Sequence, residues 1–375
     1  MRLETLTEAA ELEALGAQWD TLVRAMPRPS PFLLHGWLCA WWAHYGARGE
    51  LRVHVAREDG RLLAALPLWV RRRAGVRVSS FLGGDASALA DLLVADGAPP
   101  STAAALAAHA GADSTDVADL FGLPGESVLA GAVGPGALTL VPRAAAPVLD
   151  LHPSWEEVYR ARTSAKRRSL HRRRRRQLGA LGPLSIELAR TPEELAPALE
   201  EAFRLHDLRW RDRPEASGFA TPAGRAFHRA ALRSIAGVGV PRILLVRVGG
   251  RAIACNYFLL LGECMYFHEL AFDPAFARVS PGQVATLDAL AAAAGEGARR
   301  VEFLGGTERY KLELADRVEP LYEGIGLAHT RRGRAAATVR LAALGARRTL
   351  KRTPVRRVYY DHLAPVHRAI RRLRS

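Results

Sequence analysis

Two hairpin signals, 190 residues apart, constrain this chain more than any other feature. In the first, Leu51, Val53 and Val55 alternate with polar residues, Glu58-Asp59-Gly60 turns the chain, and Leu62 to Val70 runs apolar. In the second, Ile243 to Val248 is followed by the two-residue turn Gly249-Gly250 and the apolar run Ala252 to Leu261. Alternation on one side of a glycine turn and an apolar run on the other is a β-hairpin signature. Gly60-Arg61-Leu62-Leu63-Ala64 matches Gly250-Arg251-Ala252-Ile253-Ala254 in register. A unit used twice in 375 residues points to a duplicated α/β fold. The echo of Phe81-Leu82-Gly83-Gly84 in Phe303-Leu304-Gly305-Gly306 has a different offset, 222, and is read as coincidence.

The elements around each hairpin extend the pattern. Leu12, Leu15, Trp19 and Leu22 predict one helix over residues 8–25, ended by Ser30-Pro31-Phe32. A short helix holding Trp37, Trp41, Trp42 and Tyr45 follows. Past the first hairpin come a strand at Val76–Leu82, the stretch Asp91–Val94, a helix near 101–109 and a strand near 117–121. The first half closes around Pro142–Asp150. The second half opens with one helix over Trp155–Leu178, with Glu156-Glu157 at its start and arginines later, as the helix dipole prefers. Helices over Leu195–Trp210 and Ala223–Ala236 precede the second hairpin. A strand over Glu263–Phe272, a helix over Pro281–Ala294, a strand over Arg300–Leu304 and a helix over Glu308–Ala315 follow it. The expected organisation is 1–150, 151–330 and an arginine-rich tail, 331–375.

Composition narrows the class. Hydrophobic residues make up 49% and charged residues 24%, which excludes a mostly disordered chain. No run approaches the ~18 apolar residues of a membrane span. The longest, Ala252 to Leu261, has ten and contains Asn256. Met1-Arg2-Leu3-Glu4 lacks an apolar signal core. Cys39, Cys255 and Cys264 are odd in number and at no metal spacing, so neither a disulfide framework nor a metal cluster is expected, and the expected location is the cytoplasm. The net charge of +15 is concentrated. Residues 331–375 carry +13, residues 160–176 hold ten Lys/Arg and no acid, and the rest of the chain is at −8. Such stretches attract polyanions or serve as solvated helix faces, and neither shows the interleaved aromatics of base stacking.

Ser280-Pro281-Gly282 between a strand and an alanine-rich helix is the most informative motif. A helix N-terminus presents unpaired N–H groups and the positive end of the dipole to an anion. Gly282 would let a phosphate reach the backbone, Pro281 suits a first turn, and Ser280 is a good N-cap. The same residues also suit an ordinary capped helix. Asn256, in an apolar strand, either crosslinks the sheet or faces substrate, since a buried amide needs partners.

The order of these parts resembles the GNAT acetyltransferase fold. The chain is similar to the tandem GNAT-like acetyltransferases related to cellulose-biosynthesis proteins (the CelD/BcsL type, with a BioF2-like acetyltransferase domain), distant relatives of the Fem aminoacyl transferases. The matching features are Pro31-Phe32, Trp37, Trp41-Trp42 and Tyr45; Ala64-Ala65-Leu66-Pro67-Leu68; Phe81-Leu82-Gly83; and Lys166-Arg167-Arg168 with Arg172, Leu178 and Gly182. Leu205-His206, Arg209-Trp210, Ser280-Pro281-Gly282 and Phe303 to Lys311 complete them. The pattern does not require the arginine tail, and Asp85 and Asp91 match its first-half acids only loosely.

The resemblance implies two GNAT-like halves in tandem, an α/β fold with mixed sheets. It implies transfer of an acetyl or other acyl group from acetyl-CoA or another acyl-CoA to an amine or hydroxyl of a small-molecule or saccharide acceptor, in exopolysaccharide or cell-envelope biosynthesis. Ser280 and the N–H groups of Gly282, Gln283 and Val284 would hold the pyrophosphate. Glu269 or His268 would be the base, and N–H groups near His268–Leu270 would hold an oxyanion. Tyr310 would be the acid, with Lys311 a second candidate that offsets phosphate charge. His206, Arg209 and Trp210 would shape the acceptor cleft. Two alternatives stand beside this. One is a Fem-like aminoacyl-tRNA-dependent ligase, the only reading in which nucleic acid is a partner. The other is a catalytically silent scaffold, peripheral to the inner face of the membrane, whose tail lays Leu341, Leu344, Leu350, Val355 and Val358 on anionic lipid.

Overall fold

The computed structural model describes residues 1–352 apart from 114, 153 and 212–217, with side chains described as far as 346. In chain order the elements are β1 (Arg2–Leu6), α1 (Ala9–Glu13), α2 (Gly16–Ala25), α3 (His35–Tyr45), β2 (Glu50–Glu58), β3 (Arg61–Arg73), β4 (Val76–Phe81), β5 (Leu93–Val94), α4 (Ser101–Ala112), β6 (Val117–Leu123), α5 (Val128–Ala132) and β7 (Leu138–Asp150). Then follow α6 (Trp155–Arg162), α7 (Ala165–Gly179), β8 (Leu184–Ala189), α8 (Pro192–Trp210), α9 (Pro222–Ala236), β9 (Pro241–Val248), β10 (Arg251–Leu261), β11 (Cys264–Phe272), α10 (Pro281–Gly295), β12 (Arg300–Glu302), α11 (Arg309–Leu314), β13 (Arg317–Gly326) and α12 (Arg331–Arg352). The class is mixed α/β.

Both expected hairpins form. Asp59 and Gly60 have φ of 49° and 78°, and Gly249 and Gly250 have φ of 57° and 80°. Two consecutive positive φ values define the turn that matches strand twist, and glycine adopts them without a Cβ penalty. Each hairpin then repeats one plan: a third antiparallel strand, a helix, and a strand parallel to the third. The strands make one continuous sheet in the order β1-β2-β3-β4-β6-β13-β7-β12-β11-β10-β9-β8, with β5 on the side of β3. β13, late in the chain, lies between β6 and β7. The end of β7 pairs with β12, Val148 facing Glu302 and Asp150 facing Arg300.

Helices cover both faces. One core layer packs Trp19, Trp37, Phe203 and Phe227 against Tyr257 and Tyr266. A second packs Val284, Ala289 and Leu290 of α10 onto Phe258, Phe267 and Val301. Burying side chains of this size stabilises by about 1.5–3 kcal/mol each.

Three expectations need correction. The 8–25 helix is two, α1 and α2, broken at Ala14–Leu15. The 155–178 helix is also two. Thr163 is extended (φ −128°, ψ 130°), and the Ser164 hydroxyl starts α7 afresh by accepting the Arg167 N–H at 3.3 Å. A serine able to cap competes with continuing the helix. The start of the tail does not lie on a surface. It is α12, which seats Leu341 and the buried Leu344 on Val117 and Ile325 of the sheet. The side chain of Leu350, and Val355 and Val358, lie outside the described residues. Among the described residues no helix is long and apolar enough to cross a membrane.

A buried charge cluster joins the segment after α2 to β12 and β13. Glu302 has no exposed surface. Arg28 grips it with Nε–Oε1 at 2.9 Å and Nη2–Oε2 at 2.6 Å, and Arg300 adds a bond at 2.7 Å. Both arginines also reach Glu319, at 3.1 and 2.9 Å. Removing one partner of a buried pair leaves charge uncompensated, so Arg28→Met should lower stability by about 3 kcal/mol in chemical denaturation. Adding Glu302→Gln should recover part of that loss; strict additivity of the two changes would show that the pair does not couple.

Candidate active site

The opening that holds the candidate residues is made by the end of a ladder. β11 and β12 run parallel but pair only over Cys264–Arg300, Met265–Val301 and Tyr266–Glu302. Beyond Tyr266 the strands part, and Leu270 and Phe272 line one side of the gap. On its other neighbour, β10, β11 carries a bulge: Tyr257 faces Glu269 while Phe258 faces Phe267, so His268 is the extra residue. Bulges re-aim side chains and release a main-chain group from the ladder.

α10 points its N-terminus at this gap. Ser280 does not cap it as expected. Ser280 sits in the left-handed region (φ 52°, ψ 56°), and its hydroxyl makes no cap bond. The Gln283 N–H is already used, donating to the Ser280 carbonyl at 3.1 Å. A non-glycine residue held there costs on the order of 1–3 kcal/mol and marks a place where local geometry matters more than comfort. Gly282 lies under the Phe272 ring, where a Cβ would come within 3.0 Å of ring carbon. Val284 is buried in the core beneath.

The basic stretch 160–176 is brought to the same place, because α7 lies across the start of α10. Arg174 donates to Gln283 Oε1, and Gln283 Nε2 donates to His171 Nε2 at 2.8 Å. That orientation leaves the His171 proton on Nδ1, 2.7 Å from Tyr159 Oη. Burial, with Arg174 and Arg167 nearby, holds His171 below the ordinary histidine range, so it is neutral. Two adjoining grooves, of about 240 and 190 Å³, share His171, Gln283 and Leu287 as walls. The larger reaches Arg167, Arg209, Leu270, Gly282 and Tyr310, and the smaller reaches Arg172, Arg174 and Arg175.

Four expected residues meet around the gap. Burial pushes the Glu269 carboxyl up to about 7, while Arg209, a hydrogen bond from the Leu270 N–H and Lys311 pull it the other way. Lys311 is itself buried, bonded to Gly305 O at 3.1 Å and Glu308 Oε2 at 3.1 Å. Burial also pushes the Tyr310 phenol up, with Glu308 and Glu269 adding to it, so it keeps its proton at neutral pH. Arg209 donates to the Leu270 carbonyl, and its guanidinium lies 4.7 Å from the Phe272 ring and 5.1 Å from that of Trp210.

Other expected residues stand apart. His268 points into aromatic rings, 4.9 Å from Tyr257, 5.7 Å from Trp37 and 5.8 Å from Phe32, and burial lowers it to about 4. His206 is buried against Phe219, 5.6 Å away, with Nδ1 unpartnered. Asn256 neither crosslinks the sheet nor lines the grooves. Strand alternation puts it with Ala254 and Phe258 on the face under α10, fully buried, with both amide atoms unpartnered. Two individual residues, His171 and Arg174, escape the sequence reading, and Arg167 enters it only as part of a motif. Their spacing of four and three is one face of a helix, a signal hidden by the arginines on every side of it.

Comparison with known proteins follows this geometry. Residues 165–312 match the family model described as an acetyltransferase (GNAT) domain, a stretch that begins at α7 and ends in α11. The structure of FemX shares the fold with a TM-score of 0.59 at 10% identity, over 86% of this chain and 97% of that one. The C-terminal domain of a candidate lysylphosphatidylglycerol synthetase from Agrobacterium fabrum does so with 0.56 at 11% identity, over 90% of this chain and 96% of that one. L-PGS from Bacillus licheniformis gives 0.53 at 11%, over 81% and 91%. No curated protein matches the sequence. The fold repeats one plan in two halves, and the stretch matching the acetyltransferase (GNAT) model lies in the second.

The raised carboxyl of Glu269 predicts a signature in stability. A carboxyl whose folded pKa is about 7 against an ordinary 4.5 binds more protons folded than unfolded between those values. Stability therefore falls as pH rises through that window. Glu269→Gln removes the effect, so its advantage over the parent should widen by about 2 kcal/mol between pH 5 and pH 8 in denaturation curves. Parallel curves would place the carboxyl in water.

Proposed function

We propose that this chain is an acyltransferase that moves an acetyl or other acyl group from acyl-CoA to an amine or hydroxyl of a small-molecule or saccharide acceptor. The observation that carries the reading is convergence. An uncapped helix start, a cationic helix and a protonated phenol border one groove, and a carboxyl near neutrality, Glu269, lies close enough to feel Arg209 of its wall. The CelD/BcsL-like motifs favour a saccharide acceptor in envelope or exopolysaccharide synthesis, on the cytoplasmic side where acyl-CoA is made.

The residues present fit an acyl-CoA. The α10 N-terminus, backed by Arg167 and Arg174, suits a pyrophosphate, because N–H groups, dipole and guanidinium all favour an anion. Bound there, the thioester supplies an activated acyl carbon with a thiol leaving group. Glu269 takes the acceptor's proton: its carboxyl titrates near neutral pH, where a general base works best. His268, neutral down to about 4, is the weaker base, and its part is to form the bulge. The Leu270 N–H already serves Glu269, which leaves the bulge at His268 to offer the main-chain N–H for an oxyanion. Tyr310 Oη delivers a proton to the departing sulfur. Arg209 and Lys311 keep Glu269 from remaining protonated. Arg209 and Trp210 form the acceptor wall beside Phe272.

Calorimetric titration with acetyl-CoA, followed by mass spectrometry of acetylated products from a metabolite extract, tests the reading. Saturable binding and a mass increase of one acetyl group are expected. Turnover that requires RNA and collapses with salt would instead support the aminoacyl-tRNA-dependent alternative. Tyr310→Phe should lower kcat by about 100-fold while acetyl-CoA affinity stays within about twofold. An unchanged kcat removes Tyr310 as the acid. Turnover of the parent enzyme should rise with pH through about 7, as Glu269 ionises.

A further inference from the structure

The first half contains a second opening of the same kind, furnished differently. β4 and β6 run parallel and pair only at Val78–Val117 and Ser79–Ala118. Where they part, between Ser80–Phe81 and Asp119–Phe121, lies a cavity of about 540 Å³. Four arginines reach it: Arg71 and Arg73 from β3, Arg143 from β7 and Arg340 from α12. Asp85, Asp119 and Glu323 are its carboxylates.

These charges are unevenly shared. Buried Glu323 takes Arg143 Nε at 3.1 Å and also Arg340, and Asp119 takes Arg340 Nε at 2.9 Å. Burial and the neighbouring Asp119, which bonds it, push the Glu323 carboxyl up to about 7. Arg71 and Arg73 have no carboxylate within 4.0 Å among the described residues. The Arg71 guanidinium is partly buried, 4.2 Å over the Trp69 ring; burial and the charge of Arg73 act against it, and Asp85 and Asp119 offset them only in part. A partly desolvated cation beside a second cation is unfavourable unless an anion completes the site.

The arginine cup does not end at its own wall. Arg73, Asp119 and Arg340 also border a space of about 480 Å³ between α12 and the sheet. Apart from Arg332, its other walls are aliphatic, among them Val76, Val78, Val117 and Ile325 below and Ala336 and Val339 above. Val339 is 70% exposed, although it faces this slot. A guanidinium pair matches the paired oxygens of a phosphate or carboxylate, and the slot matches an alkyl chain.

We propose that the first half binds an anionic amphiphile, its phosphate or carboxylate head between Arg71 and Arg73 and its hydrocarbon chain beneath α12. The site is separate from the acyl-transfer gap and does not depend on that reading.

Titration calorimetry on the full chain with dodecyl phosphate below its micelle concentration, inorganic phosphate and dodecanol separates head from chain. Dodecyl phosphate should bind at least about tenfold tighter than either of the others. Arg71→Met and Ala336→Asp should each weaken it by about tenfold or more, while Ala336→Asp leaves inorganic phosphate within about twofold. Arg73→Gln, at an exposed position, should show the same loss and covers the case in which Arg71→Met misfolds by circular dichroism. Dodecyl phosphate binding no tighter than inorganic phosphate, or binding unchanged in the arginine variants, overturns the proposal. Flotation with phosphatidylglycerol vesicles but not phosphatidylcholine vesicles would identify a bilayer lipid. Dodecyl phosphate binding without flotation would identify a free amphiphile. Failure of both arms also overturns it.

Discussion

A strand of three residues governs this molecule. β12 satisfies its backbone on both sides, parallel to β11 and antiparallel to the end of β7, and then stops. Because it stops, β11 continues past Tyr266 with β10 as its one partner, and the gap opens where the parallel ladder ends. Because β7 and β13 stand behind it, the gap opens within a continuous sheet and not at a frayed edge. Unpaired strand edges are costly and prone to association, so a cleft of this kind needs such a backstop. The buried Glu302, held by Arg28 and Arg300, fixes the last residue of β12. From there the chain must cross to β13, and that crossing carries Tyr310 and Lys311 past the cleft.

The same topological event occurs in both halves, which makes their differences informative. In the second half the space beside the parted strands is served by a helix N-terminus and by α7. In the first, the corresponding place is lined by side-chain cations from two strands and a helix. Main-chain N–H groups at an α-helix start recognise an anion closely and in one orientation, whereas arginines recognise it at longer reach and more tolerantly. The two halves thus share the gap and differ in the groups that line it.

Legibility followed locality. The hairpins could be read because two consecutive positive φ values restrict residue choice at Gly249–Gly250. The start of α10 could be read because Pro281 suits a helix's first turn, where its missing N–H would be unpaired anyway. β13 could not. Pro320 argues against an interior strand, since it cannot donate to a ladder. Its placement is explained only by the full register: β6 pairs with β13 from Tyr322 onward, so at Pro320 the strand has β7 on one side and no β6 on the other. The docking of α12 was equally hidden, because Leu341 and Leu344 make too short a stripe to predict a partner. Asn256 is unusual in an apolar strand, yet its surroundings depend on α10 packing over the strand, a contact between residues distant in sequence.

The bulge gives neighbouring residues of β11 opposite environments, and this bears on which is the base in the proposed reaction. His268 meets rings and no charge: with only burial acting on it, the neutral form dominates throughout the physiological range. Glu269, the next residue, is as deeply set but feels Arg209 and Lys311, and the opposed effects leave it near neutrality. A base must be both deprotonated in a useful fraction and strong enough to hold a proton in transit. Only Glu269 meets both conditions. The cations that make it available also limit its strength, so removing Lys311 would raise the carboxyl further and move the working range to higher pH.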